Sequence, residues 1–417
     1  MLLAAMPPSE TTVALAAESR PAEGATTPAA HLDRVRAIRF PIAVYLAVAS
    51  ALYAVIAWSV VALPDSGLHA TPSLVPHRWL AGWVRWDATW YWFIADNGYF
   101  YNGPGQQAPV AFFPGYPLLL RLVSQFFPST PLAGIVLTFA LGLGATVVFH
   151  SWVARRLGSS VARMAVIALL LYPFSWFLVG AVYSDALFLL CAVGAFVLLE
   201  ADRPVAAGLV GALATASRPV GPALVVAMCV FVVAKTADRE GGWLRLPHLS
   251  RLRLKDTGVL LSLLGIAGYA FFLQRAFGDP LAFVRVQSAE GWNHTADLST
   301  LFKVPAWQTL AGETRGLDWW RALAQGLATL LAAVSVPVVW RRLGSAYAVY
   351  VALLVVVPVA TSADFTPMGR YLLAAFPMFA VAGFVLERRR WLWAVAPVSV
   401  AGLFYFSSMF SRWYLIT

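Results

Sequence analysis

From Phe40 to Leu63 the chain carries no charged residue. A helix of that length rises about 36 Å, enough to cross the roughly 30 Å hydrocarbon core of a bilayer. Similar uncharged runs recur to the end of the sequence. Of the 417 residues, 60% are hydrophobic and only 12% charged, against about 25% charge in an ordinary soluble domain. A soluble globule of this size cannot hide that much apolar surface, so a soluble enzyme is excluded. The chain reads as an all-α polytopic membrane protein, because helices keep their backbone hydrogen bonds to themselves inside lipid.

Cys191 and Cys229 both sit in apolar runs, which argues against a disulfide framework or a cysteine zinc site. The net charge is +10, and Lys235, Lys255 and Lys303 are the only lysines. No basic cluster is interleaved with stacking aromatics on a polar face, so no nucleic-acid partner is expected. The arginines instead suit cytoplasmic loops next to a lipid bilayer.

Residues 1–33 are rich in Ala, Pro, Ser, Thr and Glu, and this composition predicts a disordered cytoplasmic tail. Arg34, Arg36 and Arg39 place the N-terminus inside, so the first span, 40–63, emerges outside. Residues 65–130 are rich in aromatics, Gly and Pro and are broken by charge. They predict a long external loop carrying amphipathic interfacial helices. Spans follow at 131–153, 161–180 and 184–200. The apolar stretch 204–234 is split by Arg218-Pro219. Read as two short helices, it keeps the basic loop 235–255 inside. Further spans are predicted at 257–274, 321–340, 344–362, 368–386 and 391–410, with a second external loop at 275–320. The total is about 11 spans, or 10 to 12 depending on whether 110–127 crosses.

Charge in or beside an apolar span is costly and marks candidate function. By this topology Asp87, Asp96, Asp185, Arg218, Asp364, Arg370 and the stretch 285–297 all fall on the outer side, although they lie far apart in sequence. Asp87 precedes a helix ending at Gly98; read locally, it caps that helix or pairs with Arg85. Asp96 is nine residues on, and nine steps of about 100° put it on the opposite helix face. The two carboxylates are therefore not a glycosidase pair. Arg218 and Arg370 stand where helices break or begin, and their forked guanidiniums suit a phosphate, with snorkelling or an ion pair as the structural alternative. The six histidines are scattered, and no metal site is expected. The glycines opening span 131–153 suit close helix packing.

Several of these residues fall in a recognisable order. Arg85-Trp86-Asp87-Ala88, Trp90-Tyr91, Ile94-Ala95 and Gly98-Tyr99 resemble the first-loop signature of PIG-V-type mannosyltransferases, the GPI mannosyltransferase 2 type within the GT-C superfamily. Phe112-Phe113-Pro114-Gly115-Tyr116-Pro117, Tyr183-Ser184-Asp185-Ala186-Leu187-Phe188, Ala214–Gly221 and Met368-Gly369-Arg370-Tyr371 resemble four further motifs of that family, in order. The chain departs from it at Thr89-Trp90, where many eukaryotic members carry a His, and at Asp185, where Glu is commoner.

The resemblance implies a single GT-C-like transmembrane domain over 34–417. It implies a polyprenyl-phosphate mannose donor used on the outer face of a bacterial plasma membrane, a lipid, glycan or protein acceptor, and neither cofactor nor metal. It implies that Asp87 is the general base in a single inverting displacement, with Arg370 and Arg218 holding the lipid phosphate. Trp86, Trp90, Tyr91, Asp96, Tyr183, Asp185, Gln287 and Trp292 are secondary candidates for sugar or acceptor contacts; aromatic stacking on a sugar face singles out Trp292 and the Trp86/Trp90 pair. Three other readings stay open: a different polyprenyl-phosphate sugar as donor; a transporter or flippase, which also needs broken helices and buried charge; and a non-catalytic subunit of a glycosyltransferase complex, in which Asp87 would be dispensable. The low Lys and high Arg, Ala and Val content suggests a high-GC bacterial genome.

Overall fold

A computed structural model describes residues 28–67, 77–236, 248–289, 292, 302–312, 316–362 and 364–416. Among these residues every regular element is helical. The first helix, α1, runs Pro28–Ala62. Residues 28–33, expected to be disordered, are thus its first turns; residues 1–27 lie outside the described residues. The first loop carries α2 (Ala88–Asn97) and α3 (Gly115–Ser124). Then come α4 (Thr130–Leu157), α5 (Ser159–Leu170), α6 (Asp185–Glu200), α7 (Pro204–Thr215) and α8 (Gly221–Ala234). A 3-10 segment, Leu254–Leu263, leads into α9 (Leu264–Phe277). After α10 (Val304–Ala311) follow α11 (Leu317–Leu343), α12 (Ser345–Thr361), the short α13 (Met368–Tyr371), α14 (Phe376–Arg388) and α15 (Ala396–Ser411).

Every expected span corresponds to one of these helices or helix pairs, but five are long and apolar enough to cross a membrane, or six if the bent pair α13–α14 counts as one. The count of 11 full spans is therefore not what the helix lengths give. The cause is local. Pro173 stops α5 after Leu170, leaving a 3-10 turn at Ser175–Leu178 where the sequence predicts continuous helix. Pro377 at the start of α14 accompanies an 85° bend from the preceding helix. Proline lacks the N–H that would continue the ladder and constrains the residue before it. The stretch 204–234 does divide at Arg218-Pro219 into α7 and α8. In the first loop, α3 has 10 residues, about 15 Å, too short to cross. It buries Tyr116 and Leu120 while exposing Leu118 and Leu122, the two-sided pattern of an interfacial helix. The second loop ends four residues earlier than expected, because α11 begins at Leu317.

Helices α4, α6 and α7 pack in sequence, and α5 lies against α14. Gly142 fixes the closest approach. A Cβ there would sit 1.7 Å from the Leu178 carbonyl oxygen, which already accepts from the Tyr45 hydroxyl at 2.9 Å. Gly142→Ala is expected to cost about 1–3 kcal/mol of stability, read as a lower melting temperature in detergent; an unchanged melt would contradict this packing.

Helix ends alternate between two faces. On one face residues 77–129 meet the turns 171–184, 216–220 and 364–375: Gly115 N donates to Ala216 O at 2.6 Å and Val182 N to Trp83 O at 3.2 Å, while Ser66 N donates to Arg412 O at 3.0 Å. Lys303 caps the end of α12 by donating to Val359 O and Ser362 O. The opposite face holds Arg156 on Glu200 at 2.7 Å and Asp202 clasped by Lys235, Lys255 and Arg253. Hydrogen bonds from the two lysines hold the Asp202 carboxyl below its usual range. Arg341 and Arg342 lie in the last turn of α11, whose Leu343 O accepts from Arg156 on this second face, and Arg388 ends α14.

Candidate active site

The turn before α2 is held in an unusual shape. Trp86 has φ 55°, an uncommon conformation for a bulky residue that persists where the surroundings enforce it. Here its indole N–H donates to Tyr414 O at 3.2 Å, and its carbonyl accepts from Thr89 Oγ1 at 2.8 Å. Asp87 follows. Its backbone N–H donates to the Tyr183 hydroxyl at 3.1 Å, and that hydroxyl donates to Arg85 O at 3.1 Å. Both local explanations of Asp87 fail. Its side chain makes no cap bond to α2, and Arg85 donates instead to Ser411 O at 2.8 Å while lying over the Trp413 ring. Burial lowers the Arg85 guanidinium to about 10, which leaves it charged.

The partner of Asp87 is Arg370, 283 residues away: Nη1 donates to Oδ2 at 2.9 Å. The Asp87 side chain keeps 30% of its surface exposed, against 10% for Arg370. Rings enclose the guanidinium, with Tyr183 at 5.0 Å, Tyr371 at 5.3 Å and Phe177 at 5.7 Å. Its Nε is buried and has no hydrogen-bond partner among the described residues. Arg370 is placed by its predecessor. Gly369 N donates to Gln325 Oε1 at 3.0 Å, and Gly369 O accepts from the Tyr172 hydroxyl at 2.9 Å. A side chain at 369 would strike Phe174 at 2.5 Å.

A second pair lies beside the first. Arg218, in the break between α7 and α8, donates from Nη1 to Oδ1 of Asp185, the first residue of α6. Arg218 is 4% exposed and Asp185 3%, so each charge depends on the other. Helix α6 favours the carboxylate at its N-terminus. The Tyr371 ring lies 4.9 Å from the Arg218 guanidinium as well, so one aromatic ring contacts both arginines. Ser184 Oγ and the Tyr91 hydroxyl are 2.9 Å apart, which ties α2 to the start of α6. Burial pushes the Tyr91 phenol up to about 12, so it stays protonated.

The structure thus brings together Asp87, Arg370, Tyr183, Tyr91, Asp185 and Arg218. It leaves others aside. Asp96 is exposed at the far end of α2 and accepts from Thr130 Oγ1 at 2.7 Å, which pins α2 to α4. Gln287 turns back to Phe283 O at 3.4 Å. Trp86 spends its ring on Trp413 at 5.8 Å. Trp90, one turn past Asp87, stacks on Phe112 at 6.0 Å and meets Trp292 at 6.2 Å, forming an aromatic wall. Tyr371, Phe177, Tyr172 and Gln325 are added by the structure. Gln325 had a readable signal: an amide in the otherwise uncharged run 322–340, where polar groups need a reason. Among the described residues no group of three or more His, Cys, Asp or Glu side chains is placed to hold a metal ion; the cationic groups of the site are the two guanidiniums.

Residues 44–238 match the family model for Mannosyltransferase (PIG-V). This stretch contains four of the five motifs, from Arg85 to Gly221, so the resemblance is borne out there; Met368–Tyr371 lies beyond it. Among curated relatives, GPI alpha-1,6-mannosyltransferase 2 of Cricetulus griseus is 36% identical over 157 residues, 34% of this chain and 30% of that protein. The Mus musculus protein of the same name is 35% identical over 160 residues, with the same shares. The match therefore spans under a third of either relative. Among solved structures, the Archaeoglobus fulgidus oligosaccharyltransferase tethered with an acceptor peptide is similar at 11% identity and a TM-score of 0.42, over 88% of this chain and 55% of that one. The same archaeal enzyme with an inhibitory peptide and a dolichol-phosphate is similar at 12% identity and a TM-score of 0.42.

Proposed function

We propose that this membrane protein transfers mannose from a polyprenyl-phosphate mannose to an acceptor hydroxyl on the extracytoplasmic face. The observation that carries this reading is the Asp87–Arg370 contact. It joins the family-matched stretch of the chain to a motif outside the matched residues, and it sets a candidate base against a candidate phosphate ligand.

Asp87 accepts the proton of the acceptor hydroxyl as that oxygen bonds to the anomeric carbon, because the hydroxyl acidifies as the bond forms. The bond from that carbon to the phosphate oxygen breaks, and polyprenyl phosphate leaves with an added negative charge. Arg370 meets that charge. Its buried Nε, without a hydrogen-bond partner among the described residues, offers a donor beside the Nη1 already on Asp87, and a guanidinium presents paired donors that match phosphate oxygens. Arg218 supports the leaving group from behind Tyr371. Displacement from one side inverts a β-linked donor to an α-linked product, in keeping with the alpha-mannosyl names of the relatives. The wall of Trp90, Phe112 and Trp292 suits one face of a sugar or an apolar acceptor.

The arginine-rich face away from the site fits the cytoplasmic side by the positive-inside rule, which supports a cytoplasmic N-terminus and a site outside. A bacterial plasma membrane fits the Arg-rich composition. With two guanidiniums to stabilise the leaving phosphate, the reaction needs neither metal nor other cofactor. The test is transfer by the purified protein from radiolabelled polyprenyl-phosphate mannose into membrane extract, with and without EDTA. Label is expected in a new lipid, glycan or protein product at equal rates in both. A rate that collapses with EDTA and returns with added Mg²⁺ or Mn²⁺ contradicts the metal-free reading. Transfer from another polyprenyl-phosphate sugar alone replaces mannose and leaves the rest.

A further inference from the structure

We infer that residues 411–416 form a strap that positions both halves of the Asp87–Arg370 pair. This rests on reading that pair as the reacting site. Starting at the last residue of α15, six consecutive carbonyls each accept a hydrogen bond from another element. Ser411 O accepts from Arg85 Nε at 2.8 Å, Arg412 O from Ser66 N at 3.0 Å and Trp413 O from Ser66 Oγ at 3.1 Å. Tyr414 O accepts from Trp86 Nε1 at 3.2 Å, Leu415 O from Arg321 Nη1 at 3.0 Å and Ile416 O from Gln325 Nε2 at 2.9 Å. Helix-terminal carbonyls lack partners within their own helix, and satisfying them with water is the usual outcome at a frayed end. Here protein donors satisfy all six, Trp413 takes a left-handed φ of 66°, and Ile416 is fully buried.

The donors are specific in place. Arg85 and Trp86 are the two residues before Asp87. Gln325 is fully buried and uses both ends of its amide: Nε2 on Ile416 O, and Oε1 on Gly369 N at 3.0 Å, the residue before Arg370. The strap therefore holds the carboxylate through Arg85 and Trp86, and the guanidinium through Gln325 and Gly369. Gln325 and Trp86 are positioning residues; neither needs to touch substrate. Reacting groups lose about 100-fold in rate for misplacements near 1 Å, so this indirect link is expected to matter.

The experiment uses the full-length chain with Gln325→Met, which keeps the bulk and removes both hydrogen bonds, and with Trp86→Phe. Hydrogen–deuterium exchange is followed by mass spectrometry alongside transfer kinetics. Gln325→Met is expected to speed exchange at Gly369 and Arg370, at 412–416 through the strap, and at 85–88, which Gln325 reaches both through the strap and through the Asp87–Arg370 contact. Trp86→Phe is expected to speed exchange at 412–416 and at 369. The segments around Arg156 and Tyr347 on the opposite face serve as the unaffected reference. In both variants kcat is expected to fall about 10–100-fold. Exchange at 85–88 that stays native in Gln325→Met overturns the strap. Faster exchange at both segments with a native kcat overturns its positioning role. A native protein that transfers no sugar from the lipid donor sinks the proposed function instead, while the exchange data still decide whether the strap couples the two segments.

Discussion

Asp87→Asn is expected to lose transfer about 10²- to 10⁴-fold in kcat, the span associated with removing a general base, while remaining folded. An asparagine oxygen still accepts from Arg370 Nη1, so the enclosed guanidinium keeps a hydrogen-bond partner and the melting temperature drops only modestly. The amide cannot take a proton, so the chemical step fails. Asp96→Asn is the matched control. That carboxylate is exposed and accepts from Thr130 Oγ1, so near-native transfer is expected. The measurement is initial rate from the labelled lipid donor beside thermal melting of both variants. An Asp87→Asn protein with native kcat removes Asp87 from the chemistry.

Arg218→Ala is expected to show the largest loss of stability. It strips the cation from Asp185, which is 3% exposed, and an abandoned buried charge costs about 3–5 kcal/mol. The sign of the rescue is the informative part. Adding Asp185→Asn removes the orphaned charge, so the double variant is expected to be more stable than Arg218→Ala alone, although less packed than the native protein. Melting of the two single variants and the double variant in detergent gives the coupling directly. Equal melting of Arg218→Ala and native protein would mean that the pair contributes nothing. Because Tyr371 touches both guanidiniums, activity is expected to fall in the double variant as well, even where stability recovers.

Much of this site was legible in the sequence, and the reason is cost. Charge next to an apolar run is expensive, so Asp87, Asp185, Arg218 and Arg370 stood out. Loop charge split 204–234 into two helices and thereby carried Arg218 to the same face as the others. What the sequence concealed was pairing. Both arginines read as phosphate ligands, yet each already carries a carboxylate, Asp185 for Arg218 and Asp87 for Arg370. Contacts across 283 residues leave no local pattern. Hydropathy also ignores backbone continuity, so the breaks after Leu170 and before Phe376 passed as uninterrupted spans although Pro173 and Pro377 were in view. The strap is the hardest case, since it is made by carbonyls, which every residue has.

The most direct test of the central claim is a choice between donors. Purified native protein is given radiolabelled polyprenyl-phosphate mannose in one reaction and radiolabelled GDP-mannose in another, each with the same membrane acceptors and EDTA. Under the proposed function, a site built from two carboxylate–guanidinium pairs is predicted to move label from the lipid phosphate and none from the nucleotide sugar. Label moving from GDP-mannose, with the lipid donor left intact, would contradict the account.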